Sequence, residues 1–198
     1  MASNNQGKLR EIKQILGDGF FELVTLNDIG LEIKIEETEN TFFGNAFLKA
    51  KGVFDACGLP CLADDSGLCV EALNGDPGVQ SAYFAGYPTD NEKNNALLLE
   101  KMKGVTNRNA KFVSAVVLHF GENNYGESHI AGSGETTGKI LDKLTGEGGF
   151  GYDPLFYSDE LKCSFGEADP EEKNKISHRG RALKDLMTKM RRALFART

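Results

Sequence analysis

Ala63-Asp64-Asp65-Ser66-Gly67 is the stretch on which the reading of this chain turns. An apolar run, Leu59 to Leu62, leads into it, and Leu68-Cys69-Val70 follows. Two adjacent carboxylates at the end of a buried strand are costly to desolvate unless cations or hydrogen-bond donors meet them. Neighbouring side chains of an extended chain point to opposite faces. One Asp is therefore expected to reach into a cleft while the other braces the floor beneath it. Gly67 lets the backbone turn there or approach a ligand. Taken alone, Asp-Asp-Ser-Gly fits an acidic turn at a strand end equally well.

Upstream, a helix is expected from about Thr41 to Cys57, with Phe42, Ala46, Phe47, Ala50, Val53 and Phe54 inward and Gly58 as its stop. Asn45 and Lys49 lie one turn apart on it and share a side. Strands are expected over Phe20 to Thr25 and Leu31 to Ile35, the second ending in Glu36-Glu37-Thr38-Glu39-Asn40. Met1-Ala2 is at most the stub of a strand. Ser3-Asn4-Asn5-Gln6-Gly7-Lys8 reads as a polar loop before a helix with Leu9, Ile12, Ile15 and Leu16 on one face, stopped by Gly17-Asp18-Gly19. A loop entering a helix N-terminus favours anions, and Lys8 adds a full charge.

Downstream, Asn74-Gly75-Asp76-Pro77-Gly78 is a turn. Thr89-Asp90-Asn91-Glu92 reads as a capping box opening a helix to about Lys103. Lys111 to Phe120 is an apolar strand, and Glu127 to Glu135 is its hairpin partner. A glycine-rich loop, Gly146 to Pro154, follows. Asp169-Pro170 starts a helix carrying Lys173. Beyond Ser177-His178-Arg179, an amphipathic helix to about residue 195 turns Leu183, Leu186, Met187, Met190 and Leu194 to the core. Helices and strands alternate in the first half and strands pair by hairpin later. That pattern is an α/β domain with a mixed sheet, one domain over residues 1–198.

The 40% hydrophobic and 26% charged residues of the 198-residue chain are ordinary for a globular protein. A net charge of −6 argues against binding nucleic acid or a membrane surface through excess Lys and Arg. Three of the four cysteines, Cys57, Cys61, Cys69 and Cys163, sit in apolar stretches and read as buried thiols, which suits a cytoplasmic location. No apolar run approaches a membrane span of about 18 residues, and nothing reads as a signal peptide. Two motifs mislead. Gly146-x-Gly148-x-x-Gly151 matches a dinucleotide fingerprint, but Tyr152-Asp153-Pro154 follows where a helix must open. Gly138-Lys139 resembles the end of a P-loop, but Ser133 and Ile140 occupy its other required positions.

The remaining candidates sort by chemistry. Lys8, Lys49, Lys173 and Arg179 could neutralise a polyphosphate. Asp65 with Glu36 or Glu37 could hold a hard divalent cation. Phe150 could stack on a flat base. Together these describe a nucleoside triphosphate site.

These residues also carry a resemblance. The chain resembles the inosine triphosphate pyrophosphatase family over nearly its whole length. The likeness rests on Ser3 to Lys8, Glu36-Glu37-Thr38, Asn45-Ala46 with Lys49-Ala50, Ala63 to Gly67, Gly148 to Pro154, Phe165-Gly166-Glu167, and Glu172-Lys173 with Ile176-Ser177-His178-Arg179. The chain departs from the family at Gly44, where many members carry Glu.

The resemblance implies an α/β fold with an elongated mixed β-sheet flanked by helices, in two lobes with an active-site cleft between them. It implies hydrolysis of ITP, dITP and XTP to the monophosphate and pyrophosphate, with Mg2+ as cofactor, and a homodimer. Asp65 would be general base and metal ligand, with Glu36 assisting the metal. Ser3, Asn4, Asn5, Gln6, Gly7, Lys8, Lys49, Ser66 and Lys173 would bind triphosphate or ribose. Phe150, Gly151, Tyr152, Asp153, His178 and Arg179 would hold the base. Arg179 offers donors only, so it suits a 6-carbonyl and would leave the adenine amino group unpaired. The rival readings are a nucleotide-binding sensor without turnover and a pyrophosphatase for modified pyrimidine nucleotides.

Overall fold

The computed structural model describes residues 1–3, 5–17, 22–122 and 126–195. Helix α1 (Gln6–Leu16) begins where Asn5 caps it, its side chain accepting from the Lys8 N–H. Helix α2 (Phe42–Cys57) is capped by Thr41 and closes at Gly58, which is left-handed at φ 71°. The strands are β1 (Cys61–Val70), β2 (Asn109–His119), β3 (His129–Ile140) and β4 (Phe156–Ser158). They form one sheet in the order β1-β2-β3-β4. β4 runs antiparallel to β3, with Gly138 opposite Ser158. Helices α3 (Asn91–Lys101), α4 (Pro170–Ile176) and α5 (His178–Phe195) follow, with four short 3-10 helices among the described residues. Among the described residues no helix is long and apolar enough to cross a membrane.

The chain divides into two compact units. The first takes Met1–Asp65, Ser114–Gly134 and Arg179–Thr198; the second takes Ser66–Val113 and Glu135–His178. In the first unit, the period of two along β1 and β2 sorts side chains between two cores. Leu62 and Val116 join Leu9 and Ile12 of α1 and Ala182, Leu183 and Leu186 of α5. Cys61, Ala63 and Val117 join Ala46, Ala50 and Val53 of α2. Helices thus cover both faces, and each fully buried Leu or Ile is worth about 1.5–3 kcal/mol. Gly132 lets β3 and α5 approach, since a Cβ there would lie 2.2 Å from the Ala182 carbonyl oxygen. The second unit has one core, built from Leu68, Val70, Leu98, Met102, Phe112, Leu155, Phe156 and Phe165.

Several elements differ from the sequence expectation. β1 does not end at the aspartates but runs ten residues through them. The expected strand at 31–35 has no ladder among the described residues; Leu31, Ile33 and Ile35 keep the alternation and pack against the α2 core, while the Leu31 N–H donates to the Leu26 carbonyl at 2.9 Å. Of the expected strand at 20–25, Phe20 and Phe21 lie outside the described residues. Its end is instead a turn, where the Thr25 N–H and hydroxyl both donate to Asp28. α1 starts at Gln6, so Gln6, Gly7 and Lys8 form its first turn rather than a loop. Asp90, not Thr89, caps α3 by accepting from the Lys93 N–H. Only Cys61 of the four free cysteines is fully buried.

Candidate functional site

Asp64 and Asp65 sit in the middle of β1, and alternation sends them to opposite faces. Asp64 follows Leu62 toward α1 and α5. Lys8 Nζ lies 2.7 Å from its Oδ2, and Arg179 Nη2 donates to the same oxygen at 3.4 Å. The Ser114 hydroxyl of β2 donates to Oδ1 at 2.6 Å. Arg179 also pairs with Glu11 of α1. Two carboxylates therefore meet two cations in a buried, neutral network. Burial alone would raise the Asp64 carboxyl, but Arg179 and Lys8 outweigh it and hold it well below the usual carboxylate range. Burial opposes the Arg179 charge too, and Asp64 with Glu11 overcomes that and raises its pKa.

Asp65 follows Ala63 toward α2. Lys49 Nζ lies 2.8 Å from its Oδ1 and 3.2 Å from Glu37 Oε1. Asn45, one turn earlier, donates to Asp65 Oδ2 at 3.5 Å. Its own Oδ1 accepts from the Glu39 N–H at 2.9 Å, fixing the acidic 36–39 segment beside the helix start. Gly44 suits this crowding, because a Cβ there would lie 2.7 Å from the Glu39 Cβ. Asp65 is 5% exposed. Burial pushes its carboxyl up to about 6, and Lys49 and Lys8 only partly pull it back. Lys49 stays charged, its pKa raised because Asp65 and Glu37 outweigh its own burial. A buried carboxyl poised near neutrality, with ammonium groups around it, can take a proton from an attacking water while the ammonium groups meet an anion.

The expected phosphate segment is ordered by its own polar atoms. Ser3 Oγ accepts from the Asn5 N–H at 3.2 Å, and Asn5 Oδ1 accepts from the Lys8 N–H at 3.1 Å. Asn4 lies outside the described residues. Gln6 and Gly7 contribute the first turn of α1. Among the described residues no group of three or more His, Cys, Asp or Glu side chains gathers to hold a metal. Magnesium, however, takes one or two carboxylates and fills its shell with waters and phosphate oxygens. Asp65 and Glu37 fit that demand, since their oxygens together already hold one cation, the Lys49 ammonium. Glu36, the residue before Glu37, is exposed.

The second unit holds the other expected residues. Lys173 of α4 is 4% exposed and lies 2.7 Å from Asp153 Oδ2. The same oxygen accepts from the Phe150 N–H at 2.7 Å. Lys173 Nζ also lies over the rings of Phe150 and Phe165, 5.4 and 5.3 Å from their centres. Gly149, at φ 72°, keeps this turn tight, because a Cβ there would meet Asp153 Oδ2 at 2.2 Å. Tyr152 is buried, its hydroxyl donating to the Ser81 carbonyl at 2.8 Å. Ser66 is half-buried in β1. His178 is buried and stacks on Phe112 at 4.7 Å.

The structure thus gathers Lys8, Lys49 and Arg179 around the aspartate pair, and Lys173 around Asp153 and Phe150. Arg179, expected to face a purine, pairs with Glu11 and Asp64. The sequence reading missed Glu11 and Ser114. Their only signals were a carboxylate beside Ile12 in the amphipathic helix and a hydroxyl inside an apolar strand.

Comparison with known proteins gives consistent findings. The model of the Ham1 family matches residues 1–189. A dITP/XTP pyrophosphatase of Deinococcus deserti is 51% identical over 184 residues, 92% of this chain and 84% of its own length. One from Haemophilus influenzae is 44% identical, covering 96% of this chain and 97% of its own. Among solved structures, the Ham1 protein of Staphylococcus aureus superposes with a TM-score of 0.80 at 35% identity, covering 100% of this chain and 97% of the other. A HAM1 protein from Coxiella burnetii gives 0.83 at 37%, covering 95% of each.

Proposed function

Because the chain belongs to the Ham1 family, we propose that it hydrolyses aberrant purine nucleoside triphosphates, ITP, dITP and XTP, to the monophosphate and pyrophosphate. The observation that carries the reading is Asp65, a buried carboxyl near neutrality flanked by Lys49 and Asn45. Water attacks the α-phosphorus, and Asp65 accepts its proton. Negative charge grows on the phosphoryl oxygens as pyrophosphate leaves, so the protein contributes position and compensating charge. Lys8 and Lys49 supply that charge, together with the N–H groups at the start of α1. Arg179 and Ser114 hold Asp64, which in turn holds Lys8. Asp65 with Glu37, and Glu36 beside it, would hold Mg2+. A divalent cation held there would supply Lewis-acid chemistry, activating water and neutralising phosphate charge.

In the second unit, Phe150 stacks the base, Gly151 to Asp153 shape its edge, and Lys173 serves ribose or phosphate. The reading includes cytoplasmic action and a homodimer, which sedimentation of the chain tests. The deciding experiment is pyrophosphate release from ITP, XTP, dUTP, ATP and GTP with magnesium. Turnover of ITP and XTP well above that of the others is expected. Turnover of dUTP alone, or nucleotide binding without pyrophosphate release, would overturn the reading.

A further inference from the structure

We propose that Asn95 of α3 is a positioning residue for the base-binding loop, an inference that rests on the function proposed above. Asn95 is 7% exposed, on a helix whose other buried residues include Leu98. Its Nδ2 donates to the Gly151 carbonyl at 3.0 Å, 56 residues away in sequence. That carbonyl belongs to the residue after Phe150. The other ties of this loop come from different quarters. Asp153 turns back on the Phe150 N–H, Lys173 holds Asp153, and Tyr152 reaches the Ser81 carbonyl. Asn95 is thus the tie that α3 makes to the loop, one residue from the ring that would stack on the base.

Its neighbour Asn94 braces the same ground. Asn94 Oδ1 accepts from the Ala85 N–H at 2.8 Å, and its Nδ2 donates to the Ala82 carbonyl at 3.1 Å. The segment that receives the Tyr152 hydroxyl is therefore held from the same helix. Asn95 differs from Asn94 in one respect. Its Oδ1 is buried and has no hydrogen-bond partner among the described residues. A buried amide satisfied at only one end carries the desolvation cost of the other, which its Nδ2 bond to the Gly151 carbonyl has to offset. Its retained value lies in the Nδ2 bond, and that bond fixes where Phe150 sits.

The test is Asn95→Leu, with Asn95→Ala as a second variant should the first pack badly. Steady-state kinetics with ITP are read beside inhibition by inorganic tripolyphosphate, which has no base. Loss of one hydrogen bond predicts a KM for ITP raised by up to about tenfold, with kcat kept within about twofold. The tripolyphosphate inhibition constant and the Tm should stay near those of the wild type. A structural role alone would move both ligands together and lower the Tm. An unchanged KM for ITP, or equal weakening of ITP and tripolyphosphate, overturns the proposal while wild-type turnover leaves the functional reading standing. Absence of pyrophosphate release by the wild type overturns both.

Discussion

The two sides of β1 hold the same residue type one position apart and treat it in opposite ways. On the side of α1 and α5, Asp64 is met by Lys8, Arg179 and Ser114 and is held ionised. On the side of α2, Asp65 is met by Lys49 and a long Asn45 bond, with the Glu37 carboxylate nearby, and its carboxyl rises to about 6. Burial raises both equally in kind; the balance of neighbouring charge decides the outcome. A fully compensated carboxylate anchors structure, and an under-compensated one is ready to exchange protons. Under the proposed function, the contrast gives Asp64 to architecture and Asp65 to chemistry.

Removing the anchor should do the greatest damage. Asp64→Asn leaves Lys8 and Arg179 without their shared anion, and breaking a buried pair this way costs about 3–5 kcal/mol. Urea unfolding of the variant measures it; a loss under 1 kcal/mol would break the contrast. Asp65→Asn should instead spare the fold and lower kcat for ITP by about a hundredfold or more, in the range expected for loss of a general base. Full turnover by that variant would remove Asp65 from the mechanism.

The third effect is on stability against pH in the metal-free protein. Asp65 at about 6 in the folded chain lies above its ordinary value of 3.8. Folding then favours the protonated form, so this contribution is whole below about pH 4 and is lost as pH rises through 6. Unfolding at pH 5 and pH 8 should differ by about 1–2 kcal/mol from this group, less than the full shift would give, because only about one pKa unit of it falls between pH 5 and 6. Asp64 acts in reverse: its contribution is present above about pH 4 and is lost as pH falls toward its lowered folded value. The variant Asp65→Asn should lose the high-pH decline and keep the acid one.

The smallest effect separates Glu37 from Glu36. Glu37→Gln removes the carboxylate that shares Lys49 with Asp65, and should raise the magnesium concentration for half-maximal rate by about threefold or more, the effect of one carboxylate lost from a site that keeps several waters. Glu36→Gln should change it less. The opposite ranking would return the metal to Glu36.

The helices were legible because their signals are local. The Thr41 cap, the Gly58 stop and the α2 apolar face are all written within a few residues. The same holds for Asp169-Pro170 at the start of α4. The strand expected at 31–35 shows the limit: alternation orients Leu31, Ile33 and Ile35, but a ladder needs a partner strand that the segment does not specify. In the site, Asp65, Lys8, Lys49, Lys173 and Phe150 could be nominated by chemical type. The pairing of Arg179 with Glu11 could not, because the two lie 168 residues apart. Asn95 was equally silent, since its partner is a backbone carbonyl on a distant loop.

The sequence by itself determined the cap and stop of α2 and the start of α4, which residues are apolar, and that Asp64 and Asp65 must face opposite ways. Those follow from backbone periodicity and short-range capping, which need no knowledge of distant chain. Only the tertiary structure decided which aspartate is neutralised and which is left near its proton. That depends on cations and a hydroxyl brought from α1, α2, α5 and β2, and electrostatic energy in a buried site is set by what lies within a few ångströms, whatever its distance along the chain.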